Sequence, residues 1–340
     1  MARTLDELAA LSGVSRATVS RVLNGGSASA ATRRRVLDVL ERTKYRPNAA
    51  ARTLASGRSG VVGVVVHLSP HLLFQDPYFS QLVQGVIDTL AERAVGMMLW
   101  LGNRSRSETL GQILWVASVD GVIVTADHLE DPLVDGLLAS DLPTVLIGHR
   151  RSDRSASYVD VDHVEAADSI TSHLASLGRR RIGHVTGTRG TVAGEDRIAG
   201  YLRAMDRAGL STDGMVIEGR FDRASGAEGA HVLLDRSVDA IFCANDSSAA
   251  GAMEAIQARG LGIPDDVAVA GFDDLEFAAR LDPPLTTIRQ GVHEQGKEAA
   301  HVLLQLLKEP EAGPRRLLLP TELVIRRSTV GEVRKSATRG

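Results

Sequence analysis

From Gly60 onward the chain alternates short apolar runs with segments of helical spacing, and no other feature restricts its fold so tightly. The runs VVGVVVH (61–67), MMLWLG (97–102), GVIVTA (121–126) and TVLIG (144–148) are too short for helices and too continuous for one-sided strands. They predict strands buried on both faces, as in parallel α/β sheets. A second series follows in RIGHVTG (181–187), MVIEG (215–219), AIFCAND (240–246) and VAVAGFDD (267–274). Between the runs lie helical patterns such as FSQLVQGVIDTLAERA, VEAADSITSHLASLG, RIAGYLRAMDRAG and SSAAGAMEAIQARG. Two such series predict two doubly wound parallel lobes, and ligands of these sheets bind beyond the carboxyl ends of the strands. A cleft between the lobes is the expected binding site.

The polar segment 150–162 is the expected hand-over from the first lobe to the second, and LDPPLTTIRQ (281–290) the crossing back. The first lobe is expected over 60–158 and 290–320, the second over 159–289 and 321–329, with a frayed tail at 330–340.

The first sixty residues differ in kind. They carry eleven basic and four acidic side chains, net +7, which leaves −10 on the remaining 280 residues of a chain whose total is −3. A charge cluster alone also fits a solvated face, but a basic head on an acidic body points to a polyanion met by the head. Thr4 and Glu7 form a capping box before LDELAALS, Gly13 suits a tight turn, and Ser15 can cap SRATVSRVLN. That second segment turns Val19, Val22 and Leu23 to one face and Arg16, Ala17, Ser20 and Arg21 to the other. This is the pattern of a helix-turn-helix over residues 1–46, with Arg16 and Arg21 suited to guanine edges and Ala17 to a thymine methyl. A third helix is expected from about Ala31, with Val36, Val39 and Leu40 inward. Residues 47–59 read as a linker helix too poor in apolar side chains to fold without a partner. Its Leu54 suits a wedge between base steps of a minor groove, or a contact with the domain that follows.

At this point the chain resembles a known family. Residues 4–58, through GVSRATVSRVLN, ATRRRVLDVLERTKYRPN and AARTLASGRSG, are similar to the head and hinge of the LacI/GalR transcriptional regulators. The body, through LGRRRIGHVTG, DRIAGY, FCANDSSAAGAMEAI, DVAVAGFDD and PPLTTIRQ, resembles the periplasmic-binding-protein type I fold that the family uses as an effector sensor. The resemblance implies that Arg16, Ala17 and Arg21 read bases, that Ser15, Thr18, Ser20 and Asn24 touch phosphates, and that Leu54 intercalates at the centre of a palindromic operator. It also implies an effector cleft lined by Asp76, Arg197, Phe221, Asn245, Asp273 and Gln290. The expected partners are double-stranded operator DNA, a small-molecule effector and a second copy of the chain. The effector reads as a sugar, because carboxylates, a guanidinium and an amide satisfy vicinal hydroxyls while Phe221 offers a flat face; a nucleobase or other metabolite is the alternative.

Each position also has a plain structural reading. Asp76 before Pro77 fits an N-cap, Asn245 and Asp273 fit caps after their strands, Phe221 fits the core, and Arg197 fits an ion pair with Glu195 or Asp196. The loop HLSPHLLFQDPYF is longer than the family's D-x-x-NPFF, which leaves His71, Phe74 and Gln75 without an assigned role.

Other classes fit poorly. There is no GxGxxG after a strand, no Walker A sequence, no HExxH and no GxSxG, so no enzymatic activity and no cofactor are expected. Cys243, the single cysteine, sits in an apolar run and suits an inert buried thiol, which excludes a disulfide framework. No apolar stretch resembles a signal peptide or a membrane span, so a cytoplasmic regulator is expected rather than a transport receptor.

Overall fold

The computed structural model describes residues 4–23, 26–45, 57–66, 76–102, 105–116, 118–125, 128–149 and 155–331. Asn24, Leu54 with most of the linker, the loop residues His71, Phe74 and Gln75, and the tail from 332 onward lie outside these. The chain divides into two compact units, Met1–Ser59 and Gly60–Gly340.

The first unit holds α1 (Leu5–Ser12), α2 (Arg16–Leu23) and α3 (Ala30–Thr43). Thr4 Oγ1 accepts the Glu7 N–H and Glu7 Oε2 accepts the Thr4 N–H, each at 3.2 Å, which completes the capping box. Gly13 ends α1 at φ 63°, a left-handed conformation in which a side chain would be strained. α3 starts at Ala30, one residue before the expected Ala31, because Ser29 Oγ accepts the Thr32 N–H at 3.2 Å. It stops at Thr43, because Lys44 turns left-handed at φ 51° and bonds back to the last turn. Leu8, Val19, Val22, Val36 and Val39 make the core, none more than 4% exposed. At about 1.5–3 kcal/mol for each buried apolar side chain this is a small core. Caps contributing about 1 kcal/mol each are therefore a large share of what holds the unit together.

The second unit runs β1 (Val61–Val66), α4 (Pro77–Glu92), β2 (Gly96–Leu101), α5 (Arg106–Gly111), β3 (Gly121–Thr125), α6 (Pro132–Leu138), β4 (Thr144–Ile147) and β5 (Ser157–Val161). It continues with α7 (His163–Ser176), β6 (Ile182–Val185), α8 (Val192–Arg207), β7 (Val216–Ile217), α9 (Arg223–Asp235), β8 (Ala240–Cys243), α10 (Asp246–Ala258) and β9 (Ala268–Ala270). The last elements are β10 (Thr287–Arg289), α11 (Val292–Lys308), β11 (Arg316–Leu319), β12 (Glu322–Val324) and α12 (Arg327–Val330).

These elements build two parallel sheets, ordered β11-β5-β4-β3-β1-β2 and β7-β6-β8-β9, and an antiparallel pair β10-β12. The reversal of strand order within each sheet places the loops after the strands at a crevice, the geometry that doubly wound sheets use for ligands. α11 packs on the first sheet through Val292, Ala299 and Leu303. α7 packs on the second through Ala167, Ile170 and Leu174. The chain therefore passes between the lobes three times: after β5, after β10 and after β11.

One stretch departs from expectation. Within the polar segment 150–162, SYVDV forms β5, which pairs with both β4 and β11. The hand-over thus follows Val161, and β5 lies entirely in the first sheet. Asp160 disguised the strand, since a carboxylate is 2% exposed there only because other side chains neutralise it.

In the second lobe α9 and α10 meet through glycine. A Cβ built on Gly226 would lie 2.0 Å from the Ser248 carbonyl oxygen, and one on Gly251 1.9 Å from that of Arg223. No side chain fits at either position without moving a helix.

Candidate functional site

In the head, α2 carries its polar face outward. Arg16, Ala17 and Arg21 are exposed, and Thr18 and Ser20 are half-buried. Ser15 Oγ accepts the Thr18 N–H at 3.2 Å, the bond of an N-cap, and lies 2.9 Å from Thr18 Oγ1. Arg16 stands 3.7 Å from Asp6, a pair exposed enough to exchange for another anion at little cost.

In the body, a cavity of about 600 Å³ opens between the lobes. Of the expected residues, Asp76, Arg197, Phe221, Asn245 and Asp273 line it. Gln290 is 1% exposed and stands behind the wall, where its Nε2 donates to Asp273 Oδ1 and its Oε1 accepts from Gln295 Nε2 at 3.0 Å.

Arg197 is the centre of the site. Only 4% exposed, its guanidinium carbon lies 3.7 Å from the centroid of the Phe272 ring and 5.7 Å from that of Phe221. A weakly hydrated planar cation gains from such faces when desolvated. Nη1 donates to the Ala244 carbonyl, and Nη2 lies 3.8 Å from Asp273 Oδ1 and 3.4 Å from His163 Nδ1. It forms no pair with Glu195, which engages Arg189 instead.

The N-cap reading holds for Asp76 and Asn245 and fails for Asp273. Asp76 Oδ1 accepts the Tyr78 N–H at 3.0 Å and caps α4. Asn245 caps α10 by accepting the Ser248 N–H at 2.9 Å, while its Nδ2 donates to the Phe221 carbonyl at 2.8 Å. Asp273 caps no helix: it sits at φ 114° after β9, 4% exposed and turned into the cavity. Burial pushes its carboxyl well above the usual range, opposed by Arg197 and reinforced by Asp246 and Asp76. Phe221, at φ 61°, presses its ring against Gly187, where no Cβ fits, and shows its other side to the cavity.

Several residues of the site were not anticipated. Tyr78 lines the cavity, and its hydroxyl is pushed up by burial and by Asp273. Asp160 lies 2.7 Å from His149 Nδ1 and 3.2 Å from His163 Nε2. Burial raises its carboxyl, but His163, His149 and the Val161 N–H outweigh that and hold it far below the usual range. His149 Nε2 also lies 3.5 Å from Asp196 Oδ2, which extends the network to α8. No local spacing signals this arrangement, because its members come from four separate segments.

Asp246, the first residue of α10, is wholly buried beneath the cavity. Its Oδ1 accepts from Thr287 Oγ1 at 2.5 Å and its Oδ2 from the Leu275 N–H at 2.8 Å. Burial pushes its carboxyl up to about 7 despite those donors. An unfolded aspartate titrates near 3.9, so folding favours the protonated form. That contribution is complete below about pH 4 and is lost as the pH rises through about 7. An Asp246→Asn chain should therefore show a flatter stability profile than the parent between about pH 4 and pH 8. Its urea midpoint should gain on the parent's toward the alkaline end, and parallel curves would mean that Asp246 does not titrate in this window.

Residues 4–48 match the family model "Bacterial regulatory proteins, lacI family", and residues 171–329 match that of a periplasmic binding protein-like domain. The HTH-type transcriptional regulator CelR of Thermobifida fusca is 37% identical over 96% of this chain and 98% of its own. A solved CelR–cellobiose complex superposes with a TM-score of 0.76 at 35% identity, over 96% of this chain and 99% of that one. A lac repressor dimer bound to operator and the anti-inducer ONPF superposes with a TM-score of 0.82 at 28% identity, over 97% and 99% of the two chains. A basic helix-turn-helix head, a two-lobed doubly wound body and full-length identity of this order lead to one conclusion: the chain belongs to the lacI family of bacterial regulatory proteins.

Proposed function

We propose that the chain is a cytoplasmic transcriptional repressor that binds an approximately palindromic operator as a homodimer and is controlled by a sugar held between its lobes. It carries out no catalysis. The observation that carries the sensor half is the cavity itself, in which Arg197, Asp273 and Asn245 converge with the face of Phe221. Paired hydroxyls satisfy such donors and acceptors, and an aromatic face covers the apolar side of a pyranose. The ligands of the solved relatives, cellobiose and ONPF, support the same reading. Among the described residues no helix is long and apolar enough to cross a membrane.

The residue roles in this reading are those that the family resemblance implies. Arg16 and Ala17 read bases from the amino end of α2 and Arg21 from its last turn, all three exposed, and Ser15, Thr18 and Ser20 hold the backbone. Asp76, Arg197, Phe221, Asn245 and Asp273 contact the effector, and Gln290 orients Asp273. Domain limits of 1–46, 47–59 and 60–329 fit this division of work. Occupation of the cleft moves the lobes, and the coupling to operator affinity is of order 1–3 kcal/mol.

Titration calorimetry of the full chain against a panel of mono- and disaccharides and purines tests the sensor. A sugar that binds and shifts operator affinity is expected, and a response to purines alone would refute the sugar assignment. For the head, Arg21→Ala should weaken specific operator binding by about 1–3 kcal/mol and leave binding to random duplex nearly intact. An equal loss on both, with a shallower salt dependence, would make Arg21 a phosphate contact.

A further inference from the structure

The two lobes touch beside the cavity in two ways. One contact is made by backbone. Leu129, after β3 in the first lobe, donates its N–H to the Gly190 carbonyl of the second at 2.9 Å, and His128 pairs with Thr191 in an isolated antiparallel bridge. His128 and Thr191 both line the cavity, so this clasp borders the ligand space.

The other contact is made by charge. His149 follows β4 in the first lobe, and its ring lies between two carboxylates. Nδ1 is 2.7 Å from Asp160 on β5, and Nε2 is 3.5 Å from Asp196 on α8 of the second lobe. A neutral imidazole has one N–H and one lone pair, so it serves one of these carboxylates and turns a lone pair on the other; only the imidazolium donates to both. The nearer partner, Asp160, takes the first hydrogen, and the contact across the lobes therefore depends on the second. At 3.5 Å that contact is an ion pair rather than a close hydrogen bond, so it holds only while the ring is charged.

The other groups around the ring do not replace that proton. His163 on α7 reaches Asp160 with Nε2 at 3.2 Å, while its Nδ1 faces Arg197 Nη2 at 3.4 Å. A guanidinium only donates, so His163 accepts at Nδ1, donates at Nε2 and has its one hydrogen already on Asp160. Tyr158 on β5 faces His149 with its ring, the centroids 6.1 Å apart. Arg150 and Arg151, the next residues of the chain, stay cationic wherever an imidazole titrates.

We propose that His149 is a proton-operated latch between the lobes: protonated on both nitrogens it ties Asp196 to Asp160 and holds the cleft closed, and with one proton it releases α8. An imidazole ordinarily titrates near pH 6.5. Closure takes up the second proton, so the latch's contribution is complete below about that pH and is lost as the pH rises through the value the ring has in the closed cleft. Any effector that needs the closed cleft is linked to the same proton and is held more tightly on acidification, whatever its chemistry.

Residue-resolved hydrogen exchange on the full chain, with no effector added, reads the latch at the Leu129 amide, whose bond to Gly190 exists only while the lobes meet. Corrected for the intrinsic exchange rate, its protection should fall about fivefold or more between pH 6 and pH 8.5. His149→Gln offers Asp160 an amide donor without a titrating ring, so its Leu129 protection should not follow the pH. Asp196→Asn should also be flat but at a high level, because its amide donates to Nε2 of the neutral ring and closes the latch without a proton. Flat protection in the parent, or a slope that survives in His149→Gln, overturns the proposal. An Asp196→Asn chain as poorly protected at pH 8.5 as His149→Gln overturns the part assigned to the proton.

Discussion

An Arg197→Met chain is expected to lose effector control. Methionine keeps an apolar side chain in place but removes the guanidinium that lies over Phe272 and between Asp273, His163 and the ligand space. Truncating one partner of a buried, hydrogen-bonded charge pair costs about 2–5 kcal/mol. The affinity for whichever sugar the parent binds should thus fall by about thirtyfold to several thousandfold, and that sugar should no longer shift operator binding. Operator affinity without sugar should stay near that of the parent, because α2 is unchanged. Stability carries a second signature: burial raises the Asp273 carboxyl and Arg197 opposes that, so the variant's urea midpoint should fall more steeply with rising pH than the parent's. A variant that binds sugar as tightly as the parent would remove Arg197 from the chemistry of the cleft.

The second large effect is one of packing. Gly251→Val should destabilise the second lobe by about 3 kcal/mol or more, at the upper end of what overpacking costs. Glycine is intrinsically about 1 kcal/mol worse than alanine inside a helix, so propensity alone argues for improvement. Geometry overrules it, since the first added carbon would stand 1.9 Å from the Arg223 carbonyl oxygen, and backbone cannot rotate away as a side chain can. Gly111→Ala serves as the control, because nothing lies within 4 Å of a Cβ built there. The measurement is the urea midpoint at unchanged slope. Equal midpoints for the two variants would mean that α9 and α10 separate easily.

Local chemistry was the legible part of this chain. The Thr4–Glu7 capping box, the left-handed Gly13 and the apolar runs that became β1, β3, β4, β6, β8 and β9 need only neighbouring residues to be understood. β5 was hidden because a buried carboxylate reads as a surface signal until its two histidine partners are known. The cavity shows the same division. Asp76 and Asn245 carry a cap and a wall position at once, so neither reading of them excludes the other. Arg197 stood out in DRIAGY, yet its stacking on Phe272 joins segments seventy-five positions apart, and nothing in the spacing of either one announces the contact. Gln290 shows how a polar residue beside a site can serve it from behind, through Asp273.

The parallel pairing of β11 with β5 bears on how the molecule is born. Residues 316–319 leave the ribosome more than 150 positions after the strand they flank. The amino-terminal lobe therefore leaves β5 at the edge of its sheet until these residues emerge and β11 takes that place. The first sheet is thus completed only after the second lobe has emerged as far as β10, so the two lobes of the sensor mature together rather than one after the other.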